Sequence, residues 1–275
     1  MLVRMKDICD KAYEGKYGVP ALPNWNEVQV RATIEAADAT NSPVIFLTLN
    51  RFPNSKDMMD LIAKLAKETH VPVALCLDHS GSFEDSILGI RNGVTAIMVD
   101  RSEKSFEQNV AEVSELERIA HAVDVSIEAE LGHVGWGDHF DNNDASLLTD
   151  PEDARKFFEL TKVDALAVAV GTAHGVYYGE PHIDFERLKD IDAACGKPLV
   201  LHGGSGSVDD NISKACTMGI TKVNIVTDVF EETLKYIGTA DLAGNNVKNL
   251  YRACEEATFN FVKHTFEMTG CIGKT

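Results

Sequence analysis

Three histidines stand just beyond apolar runs of this chain: His79 in "LCLDHSG", His174 in "VGTAHGVYYG" and His202 in "LHGGSG". Neutral imidazoles from three places, with one position left open, are the donor set of a catalytic zinc-type site. A single such histidine is more often a hydrogen-bonded core or surface residue. The inference rests on all three following apolar strands at the same end. Asp78 adjoins His79 and offers a carboxylate for proton exchange beside a candidate metal ligand. A strand that has buried Val73, Leu75 and Leu77 has no packing use for two titratable groups at its tip. Successive strand residues point to opposite faces, so one of the pair must already lie in a turn, which Gly81 is expected to help make. His70, His121 and His264 are read more plainly, as helix residues whose charge complements the dipole.

Other polar groups gather at the same end of otherwise apolar runs. They are Asp100, then Glu128 and Glu130 in "SIEAELG", then Asn224 and Thr227 in "KVNIVTD". The stretch "HGGSG" fails as a nucleophile elbow, because G-x-S-x-G counted from Gly203 requires glycine at 207, where Ser207 stands. As a phosphate cradle it is apt: Gly203, Gly204 and Ser205 let backbone N–H groups approach an anion, and the helix after Ser207 adds its amino end.

These groups need a scaffold. Apolar, β-branched runs predict strands at Tyr17–Leu22, Val44–Leu49, Val71–Leu77, Ala96–Val99, Val125–Leu131, Ala165–Val170, Pro198–Leu201 and Lys222–Val226. Between them helical periodicity covers Glu27–Thr40, Ser55–Thr69, Phe83–Asn92, Phe106–Val123, Pro151–Thr161, Asp184–Cys195 and Asp209–Met218. Eight strands alternating with helices predict a (β/α)8 TIM barrel with its site at the carboxyl ends of the strands. A doubly wound sheet would want a glycine-rich loop after the first strand, and "VPALPNWNE" offers none. The last 50 or so residues read as extra C-terminal helices. With no linker, repeat or low-complexity segment, residues 1–275 are expected to form a single domain.

Composition narrows the partners. The chain carries 26 Lys plus Arg against 43 Asp plus Glu, a formal charge of −17. That field repels nucleic acid and anionic membrane, so neither is expected as a partner. An anionic substrate would need a site built locally from backbone N–H groups. No run approaches the roughly 20 apolar residues of a membrane span. Six scattered cysteines without a CxxC pair, and no export signal, predict free thiols and a cytoplasmic protein.

Taken together, "LDHS", "EAELG", "VGTAHGVYYGEPHIDFERL", "LHGGSGS" and "GITKVNIVTD" resemble the metal-dependent class II ketose-bisphosphate aldolases, in the right order from about Val71 to Asp228. The resemblance implies cleavage of a ketose 1-phosphate or 1,6-bisphosphate to dihydroxyacetone phosphate and an aldehyde, through a metal-stabilised enediolate. It implies that His79, His174 and His202 bind Zn2+ or another divalent ion. Asp78 would exchange the proton of the hydroxyl at the carbon–carbon bond being cut. Gly175, Gly203, Gly204, Ser205, Asn224, Ile225, Val226 and Thr227 would hold the dihydroxyacetone-phosphate half, with Na+ or K+ on carbonyls of the same loops. Glu128, Glu130 and Asp100 are candidates for a second metal position or for support of the first. The family implies a phosphorylated ketose substrate and a homodimer or homotetramer. Two other readings stand beside it: a metal-dependent sugar-phosphate isomerase or epimerase, and a non-catalytic sugar-phosphate-binding barrel. A Schiff-base aldolase needs a lysine inside the barrel, and Lys222, read as lying before the eighth strand, sits at the wrong end.

The chain departs from the family where the second half of the substrate would lie. Cys76 replaces a histidine two residues before Asp78, "LPNWNE" keeps Asn24 and Asn26 but places Pro23 among them, and "LTLNRFPNS" brings Thr48, Asn50 and Arg51. Arg51 and Arg101 are candidates to meet a distal anion. After "EAELG" the loop lacks an adjacent acidic pair, leaving Asp138, His139 and Asp141 as candidate acid/base groups, with Trp136 and Phe140 suited to a lid. An unusual aldehyde half is the expectation.

Overall fold

Eight parallel strands close in chain order: β1 (Val19–Pro23), β2 (Val44–Thr48), β3 (Val73–Ser80), β4 (Ala96–Val99), β5 (Ser126–Leu131), β6 (Ala165–Val168), β7 (Leu199–Leu201) and β8 (Ile220–Asn224), the last pairing back to β1. This is the barrel that the order of elements predicts. In this computed structural model the described residues are 1–23, 25–135, 147–175, 181–243 and 246–275. Helix α1 (Met5–Gly15) precedes the barrel. Between the strands lie α2 (Glu27–Thr40), α3 (Ser55–Glu68), α4 (Phe83–Asn92), α5 (Phe106–Ala122), α6 (Pro151–Thr161), α7 (Phe185–Cys195) and α8 (Asp209–Cys216). The expected C-terminal helices are α9 (Thr227–Thr239) and α10 (Val247–Thr269).

Local chemistry fixes where the helices begin. Asn26, Ser82 and Asp184 accept hydrogen bonds from the amides of Gln29, Asp85 and Arg187, so each satisfies an orphan donor of its helix. Ser105 and Gln108 form a reciprocal capping box, and Asp150 caps α6 ahead of Pro151 at its first turn.

The strands are apolar on both faces because helices cover the outside and the barrel fills itself within. Helix α1 buries Met5, Ile8, Cys9 and Ala12 and rests against β1, β3, β5 and β8. The amides of Val3 and Lys6 bond to Val73 O and Ser126 Oγ, at the first residues of β3 and β5. This helix therefore closes the amino end, and the chemistry is left to the carboxyl end. Helix α10 packs on α2, α8 and α9. All six cysteines are free thiols. Among the described residues no helix is long and apolar enough to cross a membrane.

Several element bounds shift by a residue or two from expectation, and two differences bear on the site. Strand β3 runs through Asp78 and His79 to Ser80, and its register against β4 slips between Leu77 and Ser80. The slip is taken up by His79 itself, at φ 43°, a left-handed conformation that costs a non-glycine residue on the order of 1–3 kcal/mol. Gly81 is not among the positive-φ residues, so the turn does not depend on it. The second difference is β8, which begins at Ile220 and so has Lys222 at its centre.

Candidate active site and metal centre

The bulge in β3 removes the alternation that would separate neighbours. Asp78 and His79 both reach the carboxyl mouth of the barrel. There His79 meets His174, in the loop after β6, and His202, the residue after β7. The inner nitrogens are close: His202 Nδ1 lies 3.1 Å from His79 Nε2 and 3.2 Å from His174 Nε2. Each outer nitrogen has its own acceptor. His79 Nδ1 lies 3.1 Å from Asp100 Oδ2, His174 Nδ1 3.0 Å from Val134 O, and His202 Nε2 2.9 Å from Glu128 Oε1. A neutral imidazole has one N–H, and here the outer bond claims it each time. Three lone pairs are then left facing one another, an arrangement that requires a cation between them. That donor set fits a divalent metal with one open position.

Electrostatics agrees. Burial works against charge on His79, but the carboxylates of Asp78, Asp100 and Glu130 outweigh it and raise its pKa to about 9. Burial, with the neighbouring charge of His79, lowers His174 to about 4 and holds His202 well below its ordinary value. Without metal, one proton on His79 stands in for the cation.

The acidic residues divide by role. Asp100 and Glu130 lie with His79 in a second group close enough to hold an ion. Asp100 is braced by the amide and hydroxyl of Ser102, at 3.0 and 2.8 Å. Despite burial, its bonds to His79 and Ser102 keep it below the usual carboxylate range. Glu130 accepts from Val134 N at 3.1 Å, while its Oε2 is buried without a partner, 3.9 Å from His202 Nδ1. Burial, and then Asp100, push Glu130 up to about 8. Glu128 belongs to neither group. It bonds His202 on one side and faces Lys222 Nζ at 2.8 Å on the other, all three side chains fully buried.

Lys222 corrects the sequence reading. It lies inside the barrel, at its centre rather than at its amino end. Burial opposes its charge, but Glu128, Cys76 and Asp78 hold its pKa above the ordinary value. A protonated lysine is no Schiff-base nucleophile; its position makes it the counter-ion of Glu128. The signal was present, because Lys222 is two residues before Asn224 and alternation puts both on one face.

The phosphate-cradle residues are also together. Gly203, at φ +66°, would place a Cβ 2.0 Å from Ala173 O, so no larger residue fits. Gly204 N donates to Asn224 O, and Asn224 Nδ2 donates to Asp78 Oδ1 at 3.2 Å. Ser205 Oγ accepts from the amides of Val226 and Asp228, so the helix start against the cradle is that of α9, where Thr227 lies, rather than α8 alone. Ser207 does not cap α8, whose N-cap is Val208. Ile225 is buried in the core, with its amide on Ala21 O. Val226 and Asp78 both line an apolar pocket. Gly175 has φ +82°, also left-handed.

Arg101 is not available to an anion. It is buried, with Nε on Glu112 and Nη1 on the carbonyls of Ser80 and Asp100, and ties the tips of β3 and β4 together. Asn24, Trp136, Asp138, His139, Phe140 and Asp141 lie outside the described residues.

A barrel that gathers such a centre at its carboxyl mouth is equipped to work on carbonyl compounds with a metal ion. The comparison with known proteins is specific. The model for "Fructose-bisphosphate aldolase class-II" matches residues 3–274, and the chain belongs to that family of metal-dependent carbon–carbon lyases acting on phosphorylated sugars. Among solved structures it is similar to the YdjI aldolase from Escherichia coli K12, at 30% identity over 100% of this chain and 99% of that one, with a TM-score of 0.89. It is also similar to a putative fructose-1,6-biphosphate aldolase from Coccidioides immitis, at 27% identity over 98% and 97% of the two chains, TM-score 0.86. A third is the fructose-bisphosphate aldolase from Campylobacter jejuni, at 26% over 100% and 97%, TM-score 0.81.

Proposed function

We propose that this aldolase is zinc-dependent and cleaves a ketose 1-phosphate or 1,6-bisphosphate to dihydroxyacetone phosphate and an aldehyde. The observation that carries the reading is the set of three inward imidazole lone pairs beside Asp78. In this reading His79, His174 and His202 hold the divalent ion, which when bound supplies a Lewis acid for negative charge developing on the substrate's carbonyl oxygen. Asp78 takes the proton of the hydroxyl on the carbon that becomes the aldehyde, and returns it in condensation. Asn224, 3.2 Å from Asp78, steadies that carboxylate. Backbone groups around Gly175, Gly203, Gly204, Ser205, Val226 and Thr227 receive the phosphate at the start of α9, with Na+ or K+ on nearby carbonyls. Asp100 and Glu130 offer a second resting place for the metal, and Glu128 orients His202. Asp138, His139 and Asp141 remain the candidates for the second proton transfer. We further propose one domain, a homodimer or homotetramer, and a cytoplasmic protein.

The test is a coupled assay for dihydroxyacetone phosphate over ketose 1-phosphates and 1,6-bisphosphates. It is run with native enzyme, after chelation, and after zinc is restored. Cleavage that disappears with chelator and returns with zinc is expected. Product with an unbroken carbon chain would make the enzyme an isomerase or epimerase, and binding without turnover would make it a sensor.

A further inference from the structure

We infer that the aldehyde half of the substrate ends in an uncharged, apolar group, so that the preferred ketose 1-phosphate carries a methyl or longer alkyl terminus and no second phosphate. This rests on the aldolase reading above and concerns the pocket that shares Asp78 with the metal centre. Its walls are Pro23, Trp25, Leu47, Leu49, Phe52 and Val226. The rings of Trp25 and Phe52 are 4.1 Å apart between centroids and tilted by 55°.

Thr48, Asn54 and Ser55 also line it, and their side chains bond to protein groups. Thr48 Oγ1 lies 3.0 Å from Ser55 Oγ, and Asn54 Nδ2 donates to Trp25 O at 3.2 Å. Among the described lining residues the only charge is that of Asp78, and it is negative. A terminal phosphate in this pocket would lose its water, find no cation among the described lining residues, and face a like charge. An alkyl end would exchange water for aromatic and aliphatic surface.

Arg51 does not line this pocket. Arg51 is exposed, its guanidinium carbon 5.7 Å from the Phe52 ring centroid, and it borders a separate groove with His79 and Asp85. Asp85, bonded to Asn50, sets a negative charge in that groove too.

The geometry also orients the reaction. In condensation, the electron pair on the carbon beside the dihydroxyacetone-phosphate carbonyl forms the new bond to the aldehyde carbon. The aldehyde oxygen becomes a hydroxyl by taking the proton of Asp78. With that oxygen on Asp78, the rest of the aldehyde extends into the aromatic pocket. Cleavage is the same movement reversed.

The experiment is condensation by the zinc-loaded full chain, with dihydroxyacetone phosphate and four aldehydes: 2-hydroxypropanal, 2-hydroxybutanal, glyceraldehyde and glyceraldehyde 3-phosphate. The expected kcat/KM for the two alkyl aldehydes exceeds that for glyceraldehyde 3-phosphate by about tenfold or more, the scale of a changed pocket contact. Phe52→Ala is expected to shrink that ratio severalfold, Phe52→Arg to shift it toward the phosphate, and Arg51→Ala to leave it unchanged. A preference for glyceraldehyde or its 3-phosphate overturns the inference. So does a ratio that ignores Phe52, or one lost with Arg51→Ala. Deuterium exchange from solvent into dihydroxyacetone phosphate, without aldehyde, separates the two levels. Exchange with failure of the alkyl aldehydes overturns only the pocket assignment, whereas neither exchange nor condensation overturns the aldolase reading and this inference with it.

Discussion

Along β3 to β8, from the strand tips down into the barrel, the site is made of charges that hold one another: His79 on Asp100, His202 on Glu128, Glu128 on Lys222. At the tips of β1 and β2 it is made of Trp25, Phe52, Leu47 and Leu49, with Thr48 bonded to Ser55 and Asn54 to the carbonyl of Trp25. The two regions meet at Asp78. Charge is preorganised on the side where charge would develop during the reaction, in a buried setting where oriented groups act most strongly. The other side has only to receive what is released, and apolar walls suffice. If this division is real, variants on the two sides should fail in different ways and by different amounts.

The largest effect falls on the charged side. Removing the metal is expected to lower dihydroxyacetone phosphate release by about 10³-fold or more, since a Lewis acid contributes several kcal/mol. Assay before and after chelation, with restoration by zinc, reads this directly. Asp78→Ala is expected to follow, lowering kcat by about 10²–10⁴-fold while metal content is retained. Loss of metal in that variant would merge two roles that the geometry keeps apart.

Lys222 tests the deeper layer. Lys222→Met leaves Glu128 buried without its counter-ion, which is expected to cost about 3–5 kcal/mol in unfolding free energy. Loosening His202 should weaken metal affinity about 10–100-fold. Adding Glu128→Leu removes the stranded charge and should recover much of the stability, but not the affinity. Denaturant titration and metal titration of the same proteins separate the two. If affinity recovers together with stability, Lys222 serves packing alone.

Protons and metal compete for the same lone pairs, and the sign follows from the shifts. His79 and Glu130 are raised, to about 9 and about 8, so the metal-free fold binds their protons more tightly than the unfolded chain does. Their contribution is complete below the unfolded values and is lost as pH rises through the folded ones. His174, lowered to about 4, and His202 work the other way, and cost stability as pH falls below about 6.5. The metal-free protein should therefore lose Tm between pH 6.5 and 8.5, and metal should flatten that decline. Uptake at pH 7.5 should release protons, fewer as pH rises through about 9. Calorimetry in buffers of different ionisation enthalpy measures the release. No release would mean that His79 is neutral before metal binds.

The fold was legible because alternation of apolar strands with periodic helices leaves few arrangements, and α2, α4 and α6 have the bounds their caps and periodicity predict. The histidines and Asp78 were legible because polar groups at apolar strand tips have no packing purpose. Lys222 was missed through a strand start set two residues late, which put it at the amino tip of the strand rather than at its centre. The bulge at His79 was not legible either: a histidine adopts left-handed φ only because the barrel demands it, and no residue type announces that. Arg101 misled because sequence shows its charge but not the three acceptors that consume it. Trp25 and Phe52 lie in separate loops, and only the fold brings their rings together.

The smallest effect should come from the aromatic side. Trp25 is 42% exposed, so Trp25→Ala forfeits less buried surface than a core tryptophan would. What it loses are ring contacts with Phe52 at 4.1 Å and Phe230 at 5.2 Å. Such pairs contribute about 0.5–1.5 kcal/mol each, so a total near 1–2 kcal/mol is expected, below that of Lys222→Met. Metal affinity should stay within about twofold, since the ring partners of Trp25 are Phe52 and Phe230 rather than a histidine of the centre, and distant sites add independently. A metal titration of Trp25→Ala beside the wild type checks this. A shift beyond about threefold would mean that the pocket and the centre are mechanically one, with Asp78 as the link, and aldehyde binding would then be expected to tighten the metal in turn.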